Sequence, residues 1–148
     1  MENQMFCFQC QEAAKGSGCT LRGVCGKAPE VANLQDLLMF VLRGVSIYGE
    51  RANKAGIKIE NVDKFVFDGL FMTITNANFD NLRFVAKIKE AFVLRDELKA
   101  KLQNAGIQID DVTYEGAFWT GNESEFESKA KSVGVLSTEN EDVRSLRE

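Results

Sequence analysis

The chain is 148 residues long, 45% hydrophobic and 27% charged, which is enough apolar material for one packed domain and too much for a chain disordered throughout. Its net charge is −4, with Lys and Arg scattered among Asp and Glu, and this argues against a nucleic-acid groove or an anionic membrane surface as the main partner. It contains no histidine. Redox or hydrolytic chemistry on this chain must therefore rest on cysteines, carboxylates or a bound cofactor.

The opening residues, Met1-Glu2-Asn3-Gln4, lack the basic start and apolar run of a secretory signal. The longest apolar stretches, such as the one around Leu37 to Leu42, are far too short to span a bilayer. A cytoplasmic location is the resulting expectation. In that reducing compartment, four cysteines within nineteen residues read as metal ligands rather than disulfides.

Taken in chain order, residues 1–29 form a loop segment carrying Cys7, Cys10, Cys19 and Cys25, with Gly16, Gly18, Gly23 and Gly26 and the only proline, Pro29, at its end. Residues 30–106 read as a three-helix bundle. A helical period begins at Asn33, the expected N-cap, and places Leu34, Leu37, Leu38, Val41, Leu42, Val45 and Tyr48 on one face before a stop at Gly56. A second helix is expected from about Val62 to Ile74. It has apolar residues on more than one side, which predicts the central, most buried position, with strand as the competing reading for Phe65-Val66-Phe67. The third runs from Asp80 to about Asn104 with Leu82, Val85, Ile88, Phe92, Leu98 and Leu102 on one face and Gly106 as its stop. The fold class is thus mostly α, an antiparallel helical bundle behind a cysteine-rich loop.

Residues 107–136 read as a connecting segment. Gly116 to Gly121, with Phe118 and Trp119, is a loop with an apolar patch; Asn122 caps a short charged helix to about Ser132; and Val133 to Leu136 is a brief strand or turn. At residues 137–148, Thr138 with Glu141 makes a capping box that opens a further helix. Its Ser145-Leu146-Arg147-Glu148 is similar to Asn33-Leu34-Gln35-Asp36, which suggests the start of a second, truncated bundle. Lys87 and Glu90 read as part of a solvated face, and the carboxylates of Glu139 to Asp142 as helix-start chemistry.

The cysteine spacing is C-x2-C-x8-C-x5-C. An iron–sulfur cluster of the four-iron type needs four thiolates converging from different directions. A C-x2-C pair delivers two from one tight turn, and the longer glycine-bearing gaps let the backbone wrap to deliver the others. Backbone N–H groups and Lys15, Arg22 and Lys27 would offset the charge of the thiolates, and Phe6 and Phe8 would shield the site from water. Structural zinc in a helical binding module without redox activity is the alternative, although zinc sites usually come as two similar short pairs. Disulfides or free thiols are the remaining reading.

The stretch Met5-Phe6-Cys7-Phe8-Gln9-Cys10-Gln11-Glu12, followed by Gly18-Cys19 and Gly23-Val24-Cys25-Gly26-Lys27, closely resembles the hybrid-cluster (prismane) family of hydroxylamine reductases, and the final VGVLSTENEDVRSLRE also resembles it. The resemblance implies that Cys7, Cys10, Cys19 and Cys25 ligate a [4Fe–4S] cluster that relays electrons supplied by a donor protein. It further implies a longer polypeptide, whose later domains carry a hybrid iron–sulfur–oxygen cluster where hydroxylamine becomes ammonia and water, or nitric oxide is handled. That second cluster takes a histidine, glutamates and further cysteines, and neither the histidine nor a spare cysteine exists here. No catalytic residue is therefore assigned to this chain, which alone is expected to be inactive. Its expected partners are the remaining reductase domains and an electron donor, with neither nucleic acid nor membrane among them.

Overall fold

A computed structural model describes residues 4–74 and 76–147. Among these residues five α-helices follow the N-terminal loop: α1 (Pro29–Lys54), α2 (Val62–Met72), α3 (Asn81–Asn104), α4 (Glu123–Val133) and α5 (Glu141–Arg147). Short 3-10 turns lie at Ala14–Gly16, Glu115–Ala117 and Val135–Ser137. Among the described residues the only β-type pairing is one antiparallel bridge, Cys7 to Cys19. The molecule is a mostly α helical bundle, and no helix of the described residues is long and apolar enough to cross a membrane.

The long helix α1 is the spine and packs most extensively against α3. Its Leu37, Leu38, Val41, Leu42, Val45 and Tyr48 are buried together with Phe84, Ile88, Ala91, Leu98 and Leu102 of α3 and Phe126 and Ala130 of α4. The expected α1 face is therefore the observed one, since a 3.6-residue period lines up a single stripe. The helix starts earlier than its sequence pattern suggests. Pro29 occupies the first turn, where a missing N–H costs nothing, and Ala28 stands in extended conformation before it. Asn33 is inside the helix, where its Nδ2 donates to the Gln4 carbonyl at 3.2 Å and staples the loop to α1.

Both α1 and α3 end in the same Schellman turn. Gly56 and Gly106 adopt φ of 70° and 72°, Ile57 N–H donates to the Ala52 carbonyl at 2.9 Å, and Ile107 N–H donates to the Leu102 carbonyl at 3.0 Å. At the other end of α3, the Asp80 side chain accepts from Leu82 N–H at 2.9 Å and caps the helix.

The segment Phe65-Val66-Phe67 is helix, as expected, and the competing strand reading falls away. Two expectations are overturned in this region. Helix α2 is not the most buried element: Val62 and Gly69 are buried against α1, while Phe67, Leu70, Phe71 and Ile74 are exposed. These four recur at i, i+3, i+4 and i+7, so α2, with Ile74 just past its end, carries a second apolar stripe that is left exposed. Leu82, placed with the α3 face, is 74% exposed, because it lies in the first turn ahead of the inward stripe that starts at Phe84.

A backbone-to-backbone contact fixes the connection after α3. Gly44 of α1 meets Gly116 so closely that a β-carbon on Gly44 would lie 2.5 Å from the Gly116 carbonyl carbon and 2.8 Å from Ala117 Cα. Arg95 of α3, 1% exposed, closes this junction: its Nη1 donates to the carbonyls of Gly116 at 3.2 Å and Trp119 at 2.5 Å. Trp119 packs edge-on against Phe92 and Phe40 and tilted against Phe126, so it is a half-buried ring laid on the core, whereas Phe118 is exposed. The solvated Lys87–Glu90 pair is present at 3.1 Å, and Lys87 also lies over the Phe65 ring.

Helix α4 begins at Glu123 with the Asn122–Glu125 capping box in place. Val133 ends this helix, and Val135 to Ser137 form a 3-10 turn rather than a strand. Asp36 of α1 anchors that turn by accepting Val135 N–H at 2.9 Å. The cap of α5 is Asn140, whose Oδ1 accepts Val143 N–H at 3.0 Å; Thr138 Oγ1 instead accepts from Asn140 N–H. The box expected at Thr138 and Glu141 is thus displaced by two residues, because Asn140 is as good an acceptor and sits nearer the first helical residue. Ser145-Leu146 and Asn33-Leu34 both begin at the fifth residue of their helices, with Glu148 outside the described residues. Leu34 belongs to the core, while Leu146 is 87% exposed.

Candidate metal centre

The loop before α1 is shaped by hydrogen bonds that its glycines permit. The Cys7–Cys19 bridge is closed by Cys7 N–H to Cys19 O at 3.0 Å and Cys19 N–H to Cys7 O at 2.9 Å. Gly18, with φ of 119°, leads into it, and a β-carbon there would lie 2.7 Å from Phe6 Cε2. Only glycine suits that position. A second turn carries Cys25: Gly23 N–H donates to Lys27 O at 2.8 Å, and Gly26 N–H, at a φ of 95°, donates to Gly23 O at 2.9 Å. Cys10 is in the first turn, where its carbonyl accepts from Ala13 N–H at 3.3 Å.

None of the four cysteines is in a disulfide. Cys7 and Cys19 are buried and held face to face by the bridge; Cys10 and Cys25 are exposed. Cys19 Sγ accepts from Ala14 N–H at 3.4 Å, the backbone donation expected of a thiolate site. Among the described residues no three Cys, Asp or Glu side chains form a group able to hold a single metal ion.

The three cations expected to balance the site are not equivalent. Lys15 and Arg22 are exposed, whereas Lys27 is 1% exposed. Its Nζ donates to Cys7 Sγ at 3.6 Å, Gln9 Oε1 at 3.1 Å and Gln35 Oε1 at 2.9 Å. None of these hydrogen bonds goes to a carboxylate, so the sulfur is the only one of the three acceptors able to carry negative charge. An ammonium can only donate, so it turns the Gln35 oxygen inward and leaves Nε2 facing away, buried and without a hydrogen-bond partner. Such a donor is costly unless an acceptor meets it. Buried cation, donated N–H and spare amide together fit an electron-rich, thiolate-ligated inorganic group.

Below the loop, Phe6 is 2% exposed and Phe8 is exposed, so only the first shields the interior as expected. Arg144 of α5, which sequence reasoning passed over, is buried with its guanidinium 6.0 Å from the Phe6 ring centroid while Nε donates to Thr138 O at 2.6 Å. Gln9 and Gln35 were missed as well. Gln35 had a signal: it is a polar residue among the apolar positions at the start of α1, next in chain to the core Leu34.

The chain is similar to three hydroxylamine reductases over 97% of its length. They come from Desulfitobacterium hafniense strain Y51 (59% identical), Clostridium novyi strain NT (58%) and Nitratidesulfovibrio vulgaris strain Hildenborough (55%). It spans only 26%, 26% and 27% of their respective lengths. Residues 5–148 match the Prismane/CO dehydrogenase family, so the cysteine loop and the helices behind it lie within one continuous match, and the chain belongs to that family.

Proposed function

We propose that this chain is the N-terminal electron-transfer portion of a hydroxylamine reductase, with Cys7, Cys10, Cys19 and Cys25 holding a [4Fe–4S] cluster. The observation that carries the reading is a loop of four cysteines, none in a disulfide, in which a buried ammonium donates to a cysteine sulfur and to two amide oxygens. Such a cluster supplies one-electron transfer without an open coordination position. The bridge fixes the two inner sulfurs, and the Gly23–Lys27 turn presents the outer Cys25. The Asn33 staple ties the loop to α1, so the ligand set is held by the rigid spine of the bundle.

Reduction of hydroxylamine to ammonia and water, or the handling of nitric oxide, belongs in this reading to polypeptide outside the chain, where a histidine and further cysteines can hold the hybrid cluster. The partners are that polypeptide and a one-electron donor protein, in the cytoplasm. The reading is tested by purifying the protein without oxygen and measuring iron, sulfide and zinc. About four irons and four sulfides per chain, lost on Cys10→Ser, is the expected result. One zinc per chain and no visible absorption, or full iron in the Cys10→Ser protein, would refute it.

A further inference from the structure

We infer that the Lys27 ammonium, fixed between the Gln9 and Gln35 amides, is the counter-charge that sets the reduction potential of the cluster, with Gln35 as its positioning residue. The inference rests on the cluster reading above. Reduction adds one electron from an external donor and makes the thiolate-ligated site one unit more negative; no bond need form or break. A cation in contact with a ligating sulfur stabilises the reduced form more than the oxidised one. The effect is large only where water is excluded. Lys27 meets both conditions, with Nζ 3.6 Å from Cys7 Sγ and 1% exposure. Lys15 and Arg22, at the surface, are screened by solvent and salt.

The two glutamines explain how a flexible lysine holds this position. Gln35 is built into the second turn of α1, and Gln9 stands between the first two cysteines. Their oxygens take the two ammonium protons not used by sulfur, so the charge is satisfied without a carboxylate that would neutralise it. Gln35 has no acidic substitute in this role. A carboxylate there would pair with the ammonium and cancel the counter-charge at the sulfur.

The test is an EPR-monitored dithionite titration of the 148-residue protein prepared without oxygen, alongside iron analysis. The K27Q, K27R, Q35E and R22Q variants are compared with the parent. The K27Q substitution is expected to lower the reduction equilibrium constant at least tenfold, a shift of about 59 mV to lower potential. K27R should stay within threefold of the parent, and Q35E should fall in the same direction as K27Q. R22Q should move less than a third as far in potential. An iron-loaded K27Q protein titrating with the parent, or an R22Q shift equal to that of K27Q, overturns the inference. If K27Q holds no iron, Q35E decides: a lowered potential supports the assignment and an unchanged one overturns it. A parent protein that holds no iron sinks the cluster reading itself, which is a separate outcome.

Discussion

Gly44 and Gly49 both lie in the interior of α1, yet alanine should be costly at the first and nearly neutral at the second. Each substitution gains about 1 kcal/mol of helix propensity. The new β-carbon of Gly44→Ala would lie 2.5 Å from the Gly116 carbonyl carbon, against an ordinary contact of 3.4–4 Å. The backbone around Gly116 must therefore retreat by about 1 Å. Overpacking against backbone costs about 3 kcal/mol, at the upper end of the usual range. The retreat also stretches the Arg95–Gly116 hydrogen bond beyond useful length, and losing a charged hydrogen bond costs about 1.5–3 kcal/mol more. The net destabilisation is about 4 kcal/mol, a large part of a typical domain's stability. At Gly49 the same atom meets only Val62 Cγ1, at 3.2 Å, the tip of a side chain at the start of α2 that can yield. That variant should lie within about 1 kcal/mol of the parent. Urea unfolding followed by far-UV circular dichroism would separate the midpoints by about 2 M for a typical slope. A Gly44→Ala protein unfolding at or above the Gly49→Ala midpoint would refute the close-contact account.

Replacing Arg95 by Met keeps the volume but strands the Gly116 and Trp119 carbonyls, and should cost about 3 kcal/mol in the same unfolding assay; a loss below about 1 kcal/mol would mean that water satisfies them. Phe71→Ser on the outer stripe of α2 should change stability by less than about 0.5 kcal/mol, whereas Phe84→Ala in the core should cost about 3–5 kcal/mol. The Arg51 hydrogen bond holds the Asp111 carboxyl below its ordinary 3.8. A lowered folded value means that the contribution is present above 3.8 and is lost as pH falls through the depressed value. The thermal advantage of the parent over Asp111→Asn should therefore be steady from neutral pH down towards 3.8 and close below it. An advantage that vanishes at neutral pH would contradict the pairing.

Local signals in the sequence located α3 and α4 well, because Asp80, Asn122 and Gly106 act on their own immediate backbone. The start of α1 was misjudged because Asn33, a good cap by type, has its side chain engaged by Gln4, a partner twenty-nine residues away that no local pattern reveals. The burial of α2 was overestimated because periodicity reports how many sides of a helix are apolar, and not how many neighbours exist to cover them. Arg95 was legible in principle: it continues the Ile88, Phe92, Leu98, Leu102 stripe of α3, a charged residue in core register. For the candidate metal centre, spacing singled out the four cysteines and composition singled out three candidate cations. Which cation reaches a sulfur depends on the fold of the Gly23–Lys27 turn against Gln35, and that is tertiary information.

Helix α2 has α1 as its principal neighbour, and the asparagine-bearing stretch 76–80 that leads into α3 is mostly exposed. It is a leaf fastened along one margin, and such an element detaches at lower free energy than the whole molecule melts. Amide exchange and protease nicking should therefore find α2 and its link first, while the α1–α3 pair and the cysteine loop riding on the head of α1 stay intact.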